Sequence, residues 1–405
     1  MAIFLLYLIH RHSSNYLSMI LLQKRSSICL FTRIYMFLER FRRRGAALMK
    51  SLPLFRKNSL TTWLVLGCSM IAISGCGGTP KTVPSTSLKP AETSAIATTT
   101  PASKPTSIVA ELLFHFPLTG LPSDKEIKSR PFMVMVENAP QARPQTGLDQ
   151  ADIVYEILAE GEITRFVSVF QSHDAKVIGP VRSIRPYFVE IGDALDAVIV
   201  HAGWSQDAMN IMAGRKLSHL DEVYGDGAYY WRATDRKAPH NLYTSVDKMK
   251  QGAEARKFRS EWNGPLLTFA KEGQAKLTGA AVNYIQIPYI QGYFASYEYK
   301  AAEGVYMRSM EGKPHVDKET GKQLQTKNLL VLESKHKIVD NEGRREVDVF
   351  GPGKGLIFQE GRSQAITWER KNGLLRAYAD GREVPLLPGN TWVQIVPEGT
   401  TIKME

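Results

Sequence analysis

Cysteine is scarce: three in 405 residues, Cys29, Cys68 and Cys76. That excludes a disulfide-stapled scaffold and a Cys-based zinc site. Acidic residues are almost missing from the beginning of the chain. The first 76 residues hold one of the 40 acids and 11 of the 51 bases. The remaining 40 bases and 39 acids balance, so the net charge of +11 and pI of 9.4 are properties of the leader. A basic pI located there is no argument for nucleic acid. The sequence also lacks the roughly 20-residue apolar run of a membrane span. It has no HExxH, no G-x-x-x-x-G-K-[ST] and no complete G-x-S-x-G. Neither a metal nor a cofactor is expected.

From Met49 the chain reads as a secretory signal. Lys50, Arg56 and Lys57 give a positive start, and Leu60 to Ile73 an apolar segment of the expected length. It closes on Ile73-Ser74-Gly75-Cys76, which resembles a bacterial lipobox. The small residues let a peptidase approach the backbone, and the Cys76 sulfur is the nucleophile that takes a diacylglyceryl group. Val65-Leu66-Gly67-Cys68 is a weaker match. Residues 1–48 carry charge too often to form part of such a signal, so they read as a misassigned upstream extension. Residues 49–76 are then the lipoprotein signal peptide.

Residues 77–110 are mostly Thr, Ser, Pro, Ala and Lys, with too little apolar surface to offset the entropy of ordering. They read as a disordered tether, about 30 Å long by root-mean-square estimate. An α+β fold follows in two parts. Residues 111–275 form a mixed α/β domain with a central sheet, and residues 276–405 a β-rich domain. Apolar or alternating runs at 132–136, 152–160, 163–171 and 197–202 predict strands. Pro186 is placed to open one helix and Ser245 to cap another. After residue 281, short strands separated by Gly-containing turns dominate.

The unusual polar residues gather in the first domain. Arg143, Arg165, Arg182 and Arg185 are candidate anion ligands. Arg182 and Arg185 stand three apart before a helix start, where guanidinium groups and backbone N–H groups can meet a phosphate or carboxylate. The competing reading pairs these arginines with Asp152, Glu156, Glu160 and Glu162 to lock the sheet. Asn138, Asp152, Glu156, Glu160, His201, His240 and Asn241 complete the set of polar candidates. Asp152 and Glu156 lie roughly 13 Å apart along one strand face, wider than the 5–9.5 Å of about any glycosidase carboxylate pair. His201 reads as a hydrogen-bonded core histidine, whereas His240-Asn241 sits in a loop, where function concentrates. Gly351 to Gly355 reads as a β-turn. Trp368, Trp392 and Tyr284, Tyr289, Tyr293, Tyr297, Tyr299 and Tyr306 read as core and cross-strand pairs, with a glycan-stacking face as the alternative.

The segments PFMVMVENAPQARPQTGLDQADIVYE, EGEITRFVSVF, IGPVRSIRPYF, VHAGWS and KAPHNLYTS occur in this order. With GKPHVD, GPGKGLIFQEGR and ITWER further on, the chain resembles the YerB-like bacterial lipoproteins over about residues 112–400. The resemblance implies a two-domain, lipid-anchored exported protein and no established activity. The expected function is an extracytoplasmic envelope protein, held at the membrane by its N-terminal lipid. It would bind a cell-wall polymer, an anionic ligand or a protein partner, and no nucleic acid. The alternative is an envelope enzyme acting on a phosphorylated or glycan substrate through an arginine-rich cleft.

Overall fold

The computed structural model describes residues 114–271, 277–290 and 292–405. The expected upstream extension, signal with Cys76 and tether, residues 1–110, all lie outside these residues. Five segments from the first half build a sheet: β1 (Phe132–Glu137), β2 (Ile153–Leu158), β3 (Thr164–Phe170), β4 (Val198–His201) and β5 (His219–Asp221). Among the described residues the α-helices all fall in this half: α1 (Pro186–Ala194), α2 (Gln206–Arg215) and α3 (Val246–Ala255). Their starts follow from sequence. Pro186 occupies the first turn of α1, and the hydroxyls of Ser205 and Ser245 accept the N–H groups of Ala208 and Lys248.

The second half is β-rich, so the two-domain α+β architecture holds. β6 (Tyr284–Ile290), β7 (Tyr293–Lys300) and β8 (Val305–Met310) form an antiparallel meander. The strands β9 (Asn328–Ser334), β10 (Gly353–Gln359), β11 (Arg362–Lys371), β12 (Leu374–Ala379), β13 (Arg382–Glu383) and β14 (Thr391–Pro397) do something else. They extend the sheet of the first half. The order is β13-β12-β11-β10-β9-β14-β2-β3-β1-β4-β5, eleven strands across both halves. The seam is β14, parallel to β2 on one side and to β9 on the other.

Alternation gives this sheet two buried faces. Met133, Met135, Tyr155, Ile157, Val167 and Ile199 point to one face, against Tyr187, Phe188 and Ile191 of α1 and Met212 of α2. Val134, Val136, Val154, Phe166, Val200 and Trp392 point to the other. There they meet Ile285, Ile287, Tyr297 and Tyr306 of the meander and Met249 of α3. Trp368, Trp392, Tyr289, Tyr293, Tyr297 and Tyr306 are all buried, so these rings form core rather than a surface for sugars. Strands β1, β2, β4, β5, β9 and β14 run in the same direction. Their carboxyl ends therefore share one edge, where ligands gather in open α/β sheets.

Candidate functional site

Most of the polar residues singled out in the sequence meet at this carboxyl edge. Glu137 ends β1, Asn138 follows it, Glu160 follows β2, Arg165 opens the antiparallel β3, and His201 ends β4. Residues 179–185 cross the same edge. Arg182 N–H donates to Met135 C=O and Arg182 C=O accepts from Ala202, which ties the segment to the ends of β1 and β4.

Glu160 holds two arginines: Arg165 at 3.2 Å and Arg185 through a close contact at Nε. Burial alone would raise the Glu160 carboxyl, but the charges of Arg165 and Arg185 and the Arg185 hydrogen bond hold it below its ordinary value. Arg165 also donates to Ser183 C=O, and Arg185 to Ile184 C=O. Arg143 bonds Asn138 O and Oδ1 and reaches Glu311 at 2.7 Å. Three of the four candidate arginines are thus largely engaged within the fold.

Arg182 differs. Its Nε lies 3.3 Å from Glu137 Oε1, outside hydrogen-bonding geometry, and its side chain donates no hydrogen bond among the described residues. The side chain keeps 33% exposure above a Glu137 that keeps 2%. The other oxygen of Glu137 meets His240 Nδ1 at 2.9 Å, with the imidazole 24% exposed. The result is an open Arg182–Glu137–His240 group. Within the ion-paired set, Arg165, Arg182 and Arg185 face two carboxylates, Glu137 and Glu160, while the Asp221 carboxylate ends β5 on the same edge.

The remaining candidates separate. Asn241 closes the loop that carries His240, donating to Ala233 and Arg236 C=O and accepting from Arg232. His201 is fully buried: Nδ1 faces Gly203 C=O at 3.0 Å and Nε2 faces His219 Nδ1 at 3.2 Å. Burial, followed by the neighbouring His219, pushes its pKa down to about 3, so it is a neutral core group. Glu156 points into the interior, where it accepts from Asn138 and Thr164 and pairs with the wholly buried Arg308 at 2.7 Å. Asp152 lies at the opposite, amino edge, capping the turn at Gln171 and Ser172. Asp152 and Glu156 therefore do not join the arginines in an open cleft.

Sequence reasoning missed Glu137, hidden as the last residue of an apolar run, and Arg308, which sits in an alternating strand where charge is expected to face water. It also missed a cavity of about 450 Å³ under the second half of α3. Val246, Lys250 and Ala253 of that helix line it, and Phe132, Phe170, Val198 and Phe258 form its apolar walls. This space lies at the amino edge of β1 and β4, away from Arg182. The described residues contain no cluster of three or more metal-ligating side chains.

A family model described as the N-terminal domain of a protein of unknown function, DUF3048, matches residues 118–259, and its C-terminal counterpart matches 285–393. YerB of Bacillus subtilis (strain 168), a protein named as a lipoprotein, is 40% identical over 288 residues, covering 70% of this chain and 86% of the relative. The chain belongs to the YerB-like, DUF3048 family. The crystal structure of YerB from Bacillus subtilis shares the fold, with a TM-score of 0.66 at 37% identity over 71% of this chain and 99% of that one. The two family models meet the chain where its composition turns β-rich, yet the sheet of this YerB-like fold crosses the boundary between them. No helix among the described residues is long and apolar enough to cross a membrane.

Proposed function

We propose that this chain is a lipid-anchored protein on the extracytoplasmic face of the bacterial membrane. Its carboxyl edge binds an anionic group of a cell-wall polymer or envelope partner through Arg182. One observation carries the binding reading: Arg182, one-third exposed, faces Glu137 as an ion pair but uses none of its N–H groups in hydrogen bonds, while the neighbouring arginines use theirs on the fold. A guanidinium with unused hydrogen-bond donors, beside two further arginines, is built to receive a carboxylate or phosphate. The start of α1 adds to this, since its first turn has neither an acidic residue nor a side-chain cap. Anchoring follows from the Cys76 lipobox and the tether of residues 77–110.

A second reading has one observation of its own. Glu137 holds a part-exposed imidazole and Arg182 on its two oxygens, the arrangement of a general base next to an anion-holding group. In an enzyme of this kind, His240→Ala would abolish turnover of envelope phosphodiesters or glycans while leaving their binding intact.

The binding reading is tested with the full chain in detergent against immobilised teichoic acid and peptidoglycan fragments. Arg182→Lys, which keeps a cation over the buried Glu137 carboxylate but lacks the fork of donors, should weaken retention with little change in melting temperature, whereas Arg182→Gln should lose retention and some stability as well. Equal retention by either variant refutes the site. In the same strains Cys76→Ala should lose lipid labelling, and persistent labelling refutes the anchor.

A further inference from the structure

Beside the Arg182 segment the edge carries an aromatic stack whose inner ring, Trp204, packs against the core and whose outer ring, Tyr224, is open to solvent. Asp221, buried at the end of β5, accepts two backbone N–H groups on Oδ1: Gly203 at 2.9 Å and Val223 at 3.1 Å. One carboxylate thus fixes the loops after β4 and β5 side by side. The next residue in each loop is aromatic, and the rings of Trp204 and Tyr224 stack with centroids 5.0 Å apart and planes at 29°. Tyr224 is 63% exposed and Val223 is 53% exposed. Folding gains nothing from an apolar ring left in water, at about 25 cal/mol per Å² of burial forgone. Among the described tyrosines and tryptophans, the exposed ones are Tyr224 and Trp231. Trp231 stacks on Tyr243 at the base of the loop that carries His240.

The backbone segments that carry the stack and Arg182 are neighbours. Arg182 C=O accepts from Ala202, Ile184 N–H donates to Gly203, and Ser205 N–H donates to Ile184. The Arg182 segment therefore runs directly alongside residues 202–205. We propose that the Trp204–Tyr224 stack is a platform for the C–H face of a pyranose ring, and that the sugar belongs to an acidic glycan whose charge is taken by Arg182. The inference rests on the anion-binding reading above and names its ligand class. Sugar rings present flat C–H faces to aromatic rings and leave their hydroxyls at the rim for polar partners. Two rings and a valine match one sugar better than a protein, which needs about 800 Å² per partner.

Calorimetry on the full chain in detergent separates the contributions with three probes. Inorganic phosphate reports on Arg182, chitotetraose on stacking, and a hyaluronan tetrasaccharide, which carries glucuronate, on both. Tyr224→Ala should weaken both sugars at least tenfold and leave phosphate affinity within twofold, with the melting temperature unchanged. Arg182→Gln should abolish phosphate binding and bring the hyaluronan tetrasaccharide down to the affinity of chitotetraose. If Tyr224→Ala leaves both sugars unaffected, or neither sugar binds the wild type while phosphate does, the platform is overturned and the anion site stands. If phosphate binding survives Arg182→Gln while Tyr224→Ala still weakens chitotetraose, the anion reading fails and the stacking surface remains.

Discussion

His201 shows how one residue can be conspicuous in sequence and silent in chemistry. It ends a buried strand, has both ring nitrogens engaged, and is held neutral by burial with a pKa of about 3. The consequence is a pH dependence of stability with a defined sign. Below about pH 6.5 the unfolded chain takes up a proton on this imidazole, whereas the native state refuses it until about pH 3. Stability therefore falls with decreasing pH across that window, with a limiting slope of about 1.4 kcal/mol per pH unit from this group. His201→Gln should flatten the profile. Between pH 6.5 and 5, urea titrations should show the wild type losing about 2 kcal/mol more than the variant. Parallel profiles would show that His201 does not titrate in this way. His315, also buried and lowered well below its ordinary value, leaves residual slope in the variant.

Between elements, the decisive contact is the Glu156–Arg308 pair, which joins β2 of the large sheet to β8 of the meander. Arg308 is enclosed by Trp392, Tyr297 and Phe166, with its guanidinium carbon 4.7, 5.3 and 5.5 Å from the ring centroids. Asn138 links this interior pair to the site, donating to Glu156 and Thr164 while accepting from Arg143 and Gln145. Removing either charge strands the other, so Glu156→Gln or Arg308→Met alone should cost about 3–5 kcal/mol in urea unfolding. The double variant should recover much of that loss, and additive losses would contradict the coupling. This contact was not legible in the sequence. Val305–Met310 alternates so that Tyr306, Arg308 and Met310 all point inward, and an arginine at such a position reads as the solvent side. What was legible was local: the Pro186 and Ser245 helix starts, the Glu160–Glu162 turn with Gly161 at a φ of 64°, and the apolar runs of β1 to β4. The arginines and His240 stood out as well, but their partners did not. Glu137 and Asp221 work through tertiary neighbours that no spacing reveals.

At the scale of the molecule, sequence and family models divide the chain where its composition changes, but the hydrogen bonds do not follow that division. β14, from the end of the second half, lies between β2 and β9, pairing in register with Ile153–Ile157 on one side and Asn328–Ser334 on the other. Long-range pairing of this kind leaves no trace in periodicity, because a strand of alternating apolar residues suits any neighbour. The described part of the chain falls within one compact unit. Residues 111–275 alone would lose β14 and expose the edge of β2, a strand whose six residues are all buried in the whole fold. They would also lose the meander that covers Val134, Val136 and Phe166. An open edge flanked by an uncovered apolar face aggregates rather than folds. The 111–275 fragment expressed alone should therefore be insoluble or show a collapsed amide spectrum. Co-expression with residues 276–405 should return soluble material with dispersed signals. A well-dispersed spectrum from the isolated fragment would show that the first half folds independently and that β14 only docks onto a finished sheet.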